Sequence, residues 1–262
     1  MTNLSTAHSE RIAFIGGGNM ASAIIGGLIR RGLLVGQIQV VEPWAEQRAR
    51  LQAQWDIQAH EAPGASLSAA TLVVWAVKPQ VFREAALPVR VHARQALHLS
   101  VAAGIRSESI AQWLESQRVV RAMPNTPALI GKGITALFAR VGVTAAERLV
   151  IEGVVQTTGD FLWLADETQL DAVTALSGSG PLSRAQAHQL AVATFVGASA
   201  LAQDSSEPPE VLRARVTSKG GTTYAALSSL DEDQVRQHFI RAMQAARQRA
   251  SEMGDEFGSS QA

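Results

Sequence analysis

Short apolar runs alternate with longer helical patterns along most of the chain, and this alternation constrains the fold more than any other feature. Arg11–Gly16 (RIAFIG) and Thr71–Val77 (TLVVWAV) have the length and composition of buried strands. Between such runs lie helical patterns such as Asn19–Arg31, which ends in basic residues before Gly32. Strands that alternate with helices predict a parallel, doubly wound α/β sheet. The other predicted strands are Gln37–Val41, Leu97–Ala102, Val119–Met123, Gly133–Ala139 and Phe161–Leu164.

The pattern changes after about residue 165, where β-branched runs give way to Ala, Leu, Gln and Arg. Helices are predicted at 168–177, 184–203, 209–217 and 222–250, the last with a break near Asp231. We therefore expect an α/β domain over residues 11–164 and an all-helical domain over residues 165–254. Residues 1–10 and 255–262 are expected to be flexible.

Composition excludes several classes of protein. The chain has 23 basic and 23 acidic residues, so no basic excess points to nucleic acid. It contains no Cys, which excludes disulfides and zinc–thiolate sites, and its six His show no metal-binding spacing. The apolar runs are too short to span a bilayer, and no signal peptide is visible. We expect a cytoplasmic protein without a metal, nucleic-acid or membrane partner.

A glycine motif follows the first predicted strand. GGGNMA (Gly16–Ala21) fits the pattern G-x-G-x-x-A, in which glycines let the backbone approach a pyrophosphate and the helix start receives it. Glu42 lies 21 positions after Ala21, at the end of the second strand, where a ribose-contacting residue is expected. The motif therefore predicts dinucleotide binding, although glycines also serve ordinary tight turns.

Glu42 also bears on the choice of cofactor. A carboxylate accepts hydrogen bonds from the ribose hydroxyls of NADH but repels the 2′-phosphate of NADPH. Arg48 and Arg50 would offset that repulsion only if the loop bent back towards them. The alternative interpretation is a solvated Glu beside Pro43.

Three more motifs lie at predicted strand ends, where ligands of such sheets bind. Lys78 in AVKPQ (76–80) either touches a phosphate or is a solvated Lys before a proline turn. The small residues of SVAAG (100–104) leave room for a flat ring. MPNTP (123–127) predicts a rigid loop, which is a binding element or a plain connection.

The segment TSKGGTTYAAL (217–227) places two glycines directly before a predicted helix. Thr222 or Thr223 is expected to be the N-cap of that helix. Free N–H groups at the helix start, with the hydroxyls of Ser218 and Thr223, form a cradle suited to a carboxylate. The alternative is an ordinary capped helix.

Together these motifs resemble the pyrroline-5-carboxylate reductase family. The matching segments run in family order and cover nearly the whole chain from Arg11 to about Gly254. They are FIGGGNMA (14–21), AVKPQ (76–80), SVAAGI (100–105), VVRAMPNTPALIGKGITALFA (119–139), LDAVTALSGSGP (170–181) and VTSKGGTT (216–223).

The resemblance implies a Rossmann-like doubly wound sheet domain followed by an all-helical dimerisation domain, in a homodimer or larger homo-oligomer. It implies an enzyme that moves hydride from NADPH or NADH to the C=N carbon of 1-pyrroline-5-carboxylate, a cyclic imino acid, giving L-proline. Thr223 matches the hydroxyl that hydrogen-bonds the ring nitrogen, and we take it as the catalytic residue. The substrate-binding positions are Ser218, Gly220, Gly221, Thr222 and Asn125. The cofactor-binding positions are Gly16, Gly18, Asn19, Met20, Glu42, Ala76, Val77, Lys78, Pro79, Ala102 and Ala103.

Three departures from the family pattern stand out. Lys219 replaces a usual Pro, and Pro63 replaces an Asn that touches the cofactor ribose in many members. In addition, Leu182 directly follows Pro181, where the family has about eighteen further residues, an apolar helix about 27 Å long. Loss of that helix is expected to expose apolar surface and to open the pocket to water.

Two other functions stay open beside the reductase. One is a catalytically impaired relative that binds NAD(P) and has a regulatory or binding role, which the missing helix favours. The other is a dehydrogenase of the hydroxyacid type, which needs a catalytic Lys in the first helix of its second domain. Residues 168–182 contain no Lys, which argues against it.

Overall fold

The structure is a computed structural model that describes residues 10–174 and 182–259. Its contacts divide the chain into two compact units, residues 1–206 and 207–262. The first unit contains a seven-stranded sheet, whose strands are β1 (Ile12–Ile15), β2 (Ile38–Val41), β3 (Leu72–Trp75), β4 (Leu97–Ser100), β5 (Val119–Pro124), β6 (Gly133–Ala139) and β7 (Gly159–Trp163). Their order in the sheet is β2-β1-β3-β4-β5-β6-β7. All seven predicted strands are confirmed.

Five strands are parallel as predicted, but the sheet is not parallel throughout. β5 and β6 pair antiparallel, and β7 then pairs parallel with β6. Only residues 125–132 connect β5 to β6, and they contain the short 3₁₀ turn Thr126–Ile130. A parallel return needs a crossover of about a dozen residues or more, so this connection is too short for one.

Helices cover both faces of the sheet because side chains alternate between the faces along each strand. The helices of the first unit are α1 (Asn19–Arg30), α2 (Ala45–Trp55), α3 (Pro79–Ala93), α4 (Ser107–Leu114), α5 (Ala145–Val155), α6 (Gln169–Thr174) and α7 (Arg184–Asp204). Ile12 and Phe14 of β1 pack in a cluster with residues of α1, α2 and α5, whereas Ala13 and Ile15 pack in a cluster with residues of α3 and α4.

Two of these helices come from the segment expected to be a separate helical domain. Leu170 of α6 and Leu190 of α7 are buried in one cluster with Ile134 of β6 and Leu162 of β7. The strands end near the expected boundary at residues 164 and 165, but the compact unit runs to Ser206. The expected division into domains 11–164 and 165–254 therefore differs from the division into compact units.

The second unit consists of α8 (Pro209–Val216), α9 (Thr222–Glu232) and α10 (Val235–Ser259). These helices match the predictions, and the predicted break near Asp231 falls between α9 and α10. α10 continues into the segment 255–262, which was expected to be flexible. Among the residues of this unit whose burial is described, none is buried, and large apolar side chains such as Phe239 and Met243 are exposed.

A histidine lies fully buried in the sheet. His98 of β4 accepts a hydrogen bond at Nδ1 from the indole Nε1–H of Trp75, 3.2 Å away. Burial, and secondarily the positive charge of Arg118, lowers the pKa of His98 from 6.5 to about 4. The imidazole is therefore neutral in the folded protein at neutral pH, whereas it titrates near its ordinary pKa once the chain unfolds.

We predict that His98 makes the protein less stable in mild acid. The unfolded state binds a proton between the two pKa values and the folded state does not, so the free energy of unfolding falls as pH drops from 6.5 towards 4. Between about pH 7.5 and 5 the loss is about 2 kcal/mol. Urea unfolding of the His98→Gln variant, which keeps an acceptor for Trp75, should lose this dependence. An equal pH slope in both proteins would contradict the prediction.

Candidate active site

The predicted cofactor-binding segments meet at one edge of the sheet. β1 to β5 are parallel, so their carboxyl ends lie on the same side. The residues that follow them are the glycine turn after β1, Glu42 after β2, Ala76–Pro79 after β3, Ala102 and Ala103 after β4, and Asn125 after β5. The glycine turn lies where the strand order reverses between β1 and β3, which is the usual ligand position in open α/β sheets.

Gly16 fixes the close contact between the ends of β1 and β3. Its φ is +92°, and a Cβ at this position would lie 2.7 Å from the carbonyl oxygen of Ala76. Its N–H donates to the carbonyl of Val41 at 2.8 Å, which joins the turn to β2 as well. Only glycine allows both the backbone conformation and the approach.

Gly18, unlike Gly16, borders open space, and this open space indicates a ligand-binding position. It is the N-cap of α1, and no side chain caps the helix start. A Cβ at Gly18 would meet no atom within 4 Å, and its φ of −66° suits any residue. Nothing in the fold explains glycine here, whereas an open surface before uncapped N–H groups of Asn19 and Met20 suits a pyrophosphate. The turn therefore fits a nicotinamide dinucleotide.

Glu42 is a buried residue that supports the glycine turn. Only 8% of its surface is exposed. Its Oε2 accepts the N–H of Gly17 at 2.8 Å, and its Oε1 accepts the N–H of Trp44 at 3.0 Å. The alternative of a solvated Glu is therefore wrong. Each carboxylate oxygen keeps a second lone pair, so the residue can still accept a hydroxyl.

Arg48 does bend back towards the end of β2, but it does not pair with Glu42. Its guanidinium donates to the backbone carbonyls of Glu42 and Pro43, and it forms a salt bridge with Glu61 at 3.3 Å. Arg50 is exposed. Neither arginine neutralises the Glu42 carboxylate, so the end of β2 carries a buried negative charge.

The segments after β3 and β4 present small or exposed residues. Lys78 is exposed and is the N-cap of α3, with Pro79 in the first turn. Ala76 and Val77 are half-buried. Ala102 is buried and Ala103 is exposed. These positions are compatible with the expected cofactor contacts, which stay predictions.

Asn125 has partners that the sequence did not indicate. Its Oδ1 accepts the N–H of Ile134 at 2.9 Å, and its Nδ2 donates to the Thr194 hydroxyl at 3.2 Å. The side chain thus links the loop after β5 to both β6 and α7. These two hydrogen bonds orient the Asn125 amide within the protein. The expected contact between Asn125 and substrate stays a prediction.

The proposed carboxylate cradle lies in the second unit and starts one residue earlier than predicted. Gly221 is the N-cap of α9, not Thr222 or Thr223, and no side chain caps this helix. The positive φ of Gly220, +74°, turns the chain so that the Gly221 N–H donates to the Ser218 carbonyl. A Cβ at Gly221 would lie 2.5 Å from the Ser218 hydroxyl, so a larger residue there would push that hydroxyl aside. The first N–H groups of α9, at Thr222 and Thr223, have no side-chain acceptor.

A buried ionic network that the motifs did not predict joins β5, the start of α4 and Glu167, which precedes α6. Arg121 of β5 pairs with Glu167 at 2.6 Å, and Glu167 accepts the backbone N–H and the hydroxyl of Ser107. Burial alone would raise the pKa of Glu167, but hydrogen bonds from Ser107 and Arg121 outweigh it and hold that pKa below its usual value. A charged residue inside the apolar run VVRAM was the available signal. SGSGP itself (177–181) lies outside the described residues.

Residues 10–174 and 182–259 contain neither a metal-binding cluster nor a membrane-spanning helix. In these ranges no group of three or more His, Cys, Asp or Glu side chains is placed to hold a metal ion. No helix in this part of the chain is long and apolar enough to cross a membrane.

Comparison with known proteins identifies relatives over nearly the whole chain. A family model described as pyrroline-5-carboxylate reductase dimerisation matches residues 182–253, and one described as NADP oxidoreductase coenzyme F420-dependent matches residues 11–104. Pyrroline-5-carboxylate reductase from Pseudomonas aeruginosa is 40% identical over 271 residues, covering 95% of this chain and 99% of the relative. The Haemophilus influenzae reductase is 38% identical, with 92% and 97% coverage.

Solved structures agree with this relationship. A pyrroline-5-carboxylate reductase from Coxiella burnetii has a TM-score of 0.62 and 31% identity, covering 94% of this chain and 98% of its own. A Plasmodium falciparum pyrroline carboxylate reductase with NADP bound has a TM-score of 0.58 and 21% identity, with 90% and 95% coverage, and supports the fold.

We predict that Gly18→Ala weakens cofactor binding while leaving the fold intact. The free energy of unfolding should change by no more than about 1 kcal/mol, since the added Cβ meets no atom. The Kd for NADH should rise at least about tenfold, because the methyl group occupies the space that the pyrophosphate needs. Fluorescence titration with NADH measures the change. Gly36→Ala, at an equally open glycine that precedes β2 at the opposite edge of the sheet, is the control. Unchanged affinity in Gly18→Ala would contradict the site.

Proposed function

The chain belongs to the pyrroline-5-carboxylate reductase family, and from that membership we propose that it reduces 1-pyrroline-5-carboxylate to L-proline with hydride from a reduced nicotinamide cofactor. The observation that carries the proposal is the glycine turn before α1, where no side chain caps the helix and the space at Gly18 is open. The chain that contains this turn matches named reductases over almost its whole length. Neither the comparisons nor the described residues supply evidence for a catalytically impaired relative, which only the apparent loss of a helix after Pro181 favoured. We also propose a cytoplasmic location, which fits the bacterial reductases that the chain resembles.

The chain's own residues supply binding and orientation. The bound cofactor would supply the hydride. Gly16, Gly18 and the start of α1 would hold its pyrophosphate, and the segments after β3 and β4 would line the rest of it. The backbone N–H groups of Thr222 and Thr223, at the uncapped start of α9, would bind the substrate carboxylate.

Thr223 would contact the ring nitrogen, which must gain a proton as the C=N bond is reduced. Thr223 is half-buried and is the second residue of α9, in the first turn of that helix. A Thr hydroxyl is a poor acid, so its contribution is to orient the imine and to relay a proton from water. Lys219, exposed beside the cradle, adds a positive charge that attracts the carboxylate.

Thr223→Ala should lower kcat by at least about tenfold while the Kd for NADH stays within about twofold. The hydroxyl acts on the reacting ring and not on the cofactor, so the two quantities should separate. Oxidation of NADH with 1-pyrroline-5-carboxylate, followed by absorbance, measures kcat. Ser229→Ala, an exposed hydroxyl on the same helix, is the control. Equal losses in kcat and in cofactor affinity would argue against a role in the chemistry.

We further propose that the enzyme prefers NADH. The adenosine ribose of a cofactor bound at the glycine turn would lie at the end of β2, beside the buried carboxylate of Glu42. That carboxylate can accept ribose hydroxyls, whereas a 2′-phosphate would meet a negative charge that neither Arg48 nor Arg50 neutralises.

The ratio of kcat/KM with NADH to kcat/KM with NADPH should therefore exceed about ten, which is about 1.4 kcal/mol. Glu42→Gln should reduce this ratio, because it removes the charge that repels the phosphate. Glu46→Gln, at an exposed acidic residue in the first turn of α2, is the control. A preference for NADPH in the unaltered enzyme, or an unchanged ratio in Glu42→Gln, would contradict this assignment.

We also propose that the enzyme is a homodimer or a larger homo-oligomer built through its helical segment. The dimerisation family model matches residues 182–253, and the second unit buries no side chain among those described. Val235, Phe239 and Met243 follow one another at four-residue spacing on α10 and are all exposed. Helices without a buried face have marginal stability in water, so we expect a second copy of the chain to pack against this stripe.

Phe239→Glu should dissociate the oligomer or unfold α10, since a charge would replace the central apolar group of this stripe. Sedimentation velocity and circular dichroism across a range of protein concentrations measure both effects. Gln237→Glu adds the same charge on the opposite side of α10 and should have little effect. A monomeric wild-type protein with fully stable helices at high dilution would contradict the proposal.

A further inference from the structure

We propose that helix α7 supports the loop at the carboxyl end of β5, and that Thr194 is a positioning residue for the reaction. We call residues 125–132 the β5 loop. The inference rests on the proposed function, because the β5 loop follows the strand next to β4 at the ligand-binding edge of the sheet. A loop at that place borders the reacting end of a cofactor whose pyrophosphate lies at β1.

The first contact is a chain of hydrogen bonds through one amide side chain. Asn125 accepts the N–H of Ile134 with Oδ1 and donates to the hydroxyl of Thr194 with Nδ2. The first bond closes the β5 loop onto β6, and the second fixes it to α7. Because the amide has one acceptor end and one donor end, these two partners together determine its orientation.

The second contact is a close backbone approach that requires glycine. Gly197 is buried, and a Cβ there would lie 2.6 Å from the carbonyl oxygen of Lys132 and 2.6 Å from the Cβ of Pro127. Real Cβ atoms do not approach other atoms so closely. α7 therefore touches the β5 loop near its beginning and at its end.

The supporting face of α7 is a single stripe. Leu190, Thr194 and Gly197 are spaced four and three residues apart, so they lie on one side of the helix. Leu190 is buried against the sheet in the same cluster as Ile134. The apolar end of the stripe anchors the helix, and the other two residues meet the loop.

α7 is a suitable support because its start is stabilised locally. Ser183 and Gln186 form a capping box, in which the Ser183 hydroxyl accepts the Gln186 N–H and the Gln186 side chain accepts the Ser183 N–H. The helix then continues without interruption to Asp204, where Lys132 of the β5 loop forms an exposed ion pair at 3.4 Å. Errors of about 1 Å in placement can cost a reaction about a hundredfold, so a loop beside the substrate needs such support.

The test compares Thr194→Val with Thr194→Ser. Valine has nearly the shape of threonine and removes the acceptor for Asn125, whereas serine keeps it. Thr194→Val should lower kcat/KM for 1-pyrroline-5-carboxylate about fivefold or more, with the Kd for NADH unchanged within about twofold. Thr194→Ser should restore at least half of the wild-type value. Ser199→Ala, an exposed hydroxyl on the same helix, is the control.

Hydrogen exchange of the peptide covering residues 125–134 supplies a readout that does not depend on activity. In Thr194→Val this peptide should exchange at least about threefold faster, because the Asn125 amide that protects Ile134 loses its second anchor. Unchanged exchange would overturn the inference even in an active enzyme, and so would equal kcat/KM in the valine variant and the wild type. If the wild type binds NADH but does not turn over, the proposed function fails while the exchange experiment still tests the support of the loop.

Discussion

The hydrogen bond from the Gly17 N–H to the buried carboxylate of Glu42 is the contact on which the cofactor site depends. It joins the turn after β1 to the end of β2 at 2.8 Å, while Gly16 brings the same turn against β3. These contacts hold the carboxyl ends of three strands together and leave the start of α1 open. A buried charge needs such partners to be tolerated, so the residue that shapes the turn also sets a negative potential beside it. The proposals for cofactor binding and cofactor choice both follow from this arrangement.

Local features of the fold could be predicted from the sequence, and contacts between distant residues could not. The strand RIAFIG and the turn after it follow from apolar pattern and glycine spacing, which act over a few residues. By contrast, Glu42 meets Gly17 across 25 positions, and Asn125 meets Thr194 across 69 positions. The hydrophobic periodicity of the sequence does not predict those pairs, because they depend on how whole helices and strands pack together. The antiparallel direction of β6 could have been predicted, since the connection 125–132 between two predicted strands is too short for a parallel crossover.

The junction between Pro181 and Leu182 is the main departure from the family pattern. Pro181 lies outside the described residues, while α7 begins at Arg184 and packs on the sheet and the β5 loop. The dimerisation family model matches from residue 182, directly after the junction. The alignment with the Pseudomonas aeruginosa reductase is longer, at 271 residues, than the 262 residues of this chain, so the relative has residues that this chain lacks. That the missing residues are a segment of about eighteen at this junction stays a prediction. The 74% exposure of Phe195 on α7 is consistent with it, because loss of a neighbouring helix would leave such a side chain uncovered.

Hydride transfer from the nicotinamide cofactor to a cyclic imino acid can be followed with a labelled cofactor. The protein is incubated with 1-pyrroline-5-carboxylate and NADH deuterated on one face of C4, and the proline formed is analysed by mass spectrometry. One of the two stereospecifically labelled cofactors should give proline with a single deuterium and the other should give proline with none, because a fixed site presents one face of the nicotinamide ring. Formation of no proline with either cofactor, in a protein that binds NADH, would contradict the proposed hydride transfer.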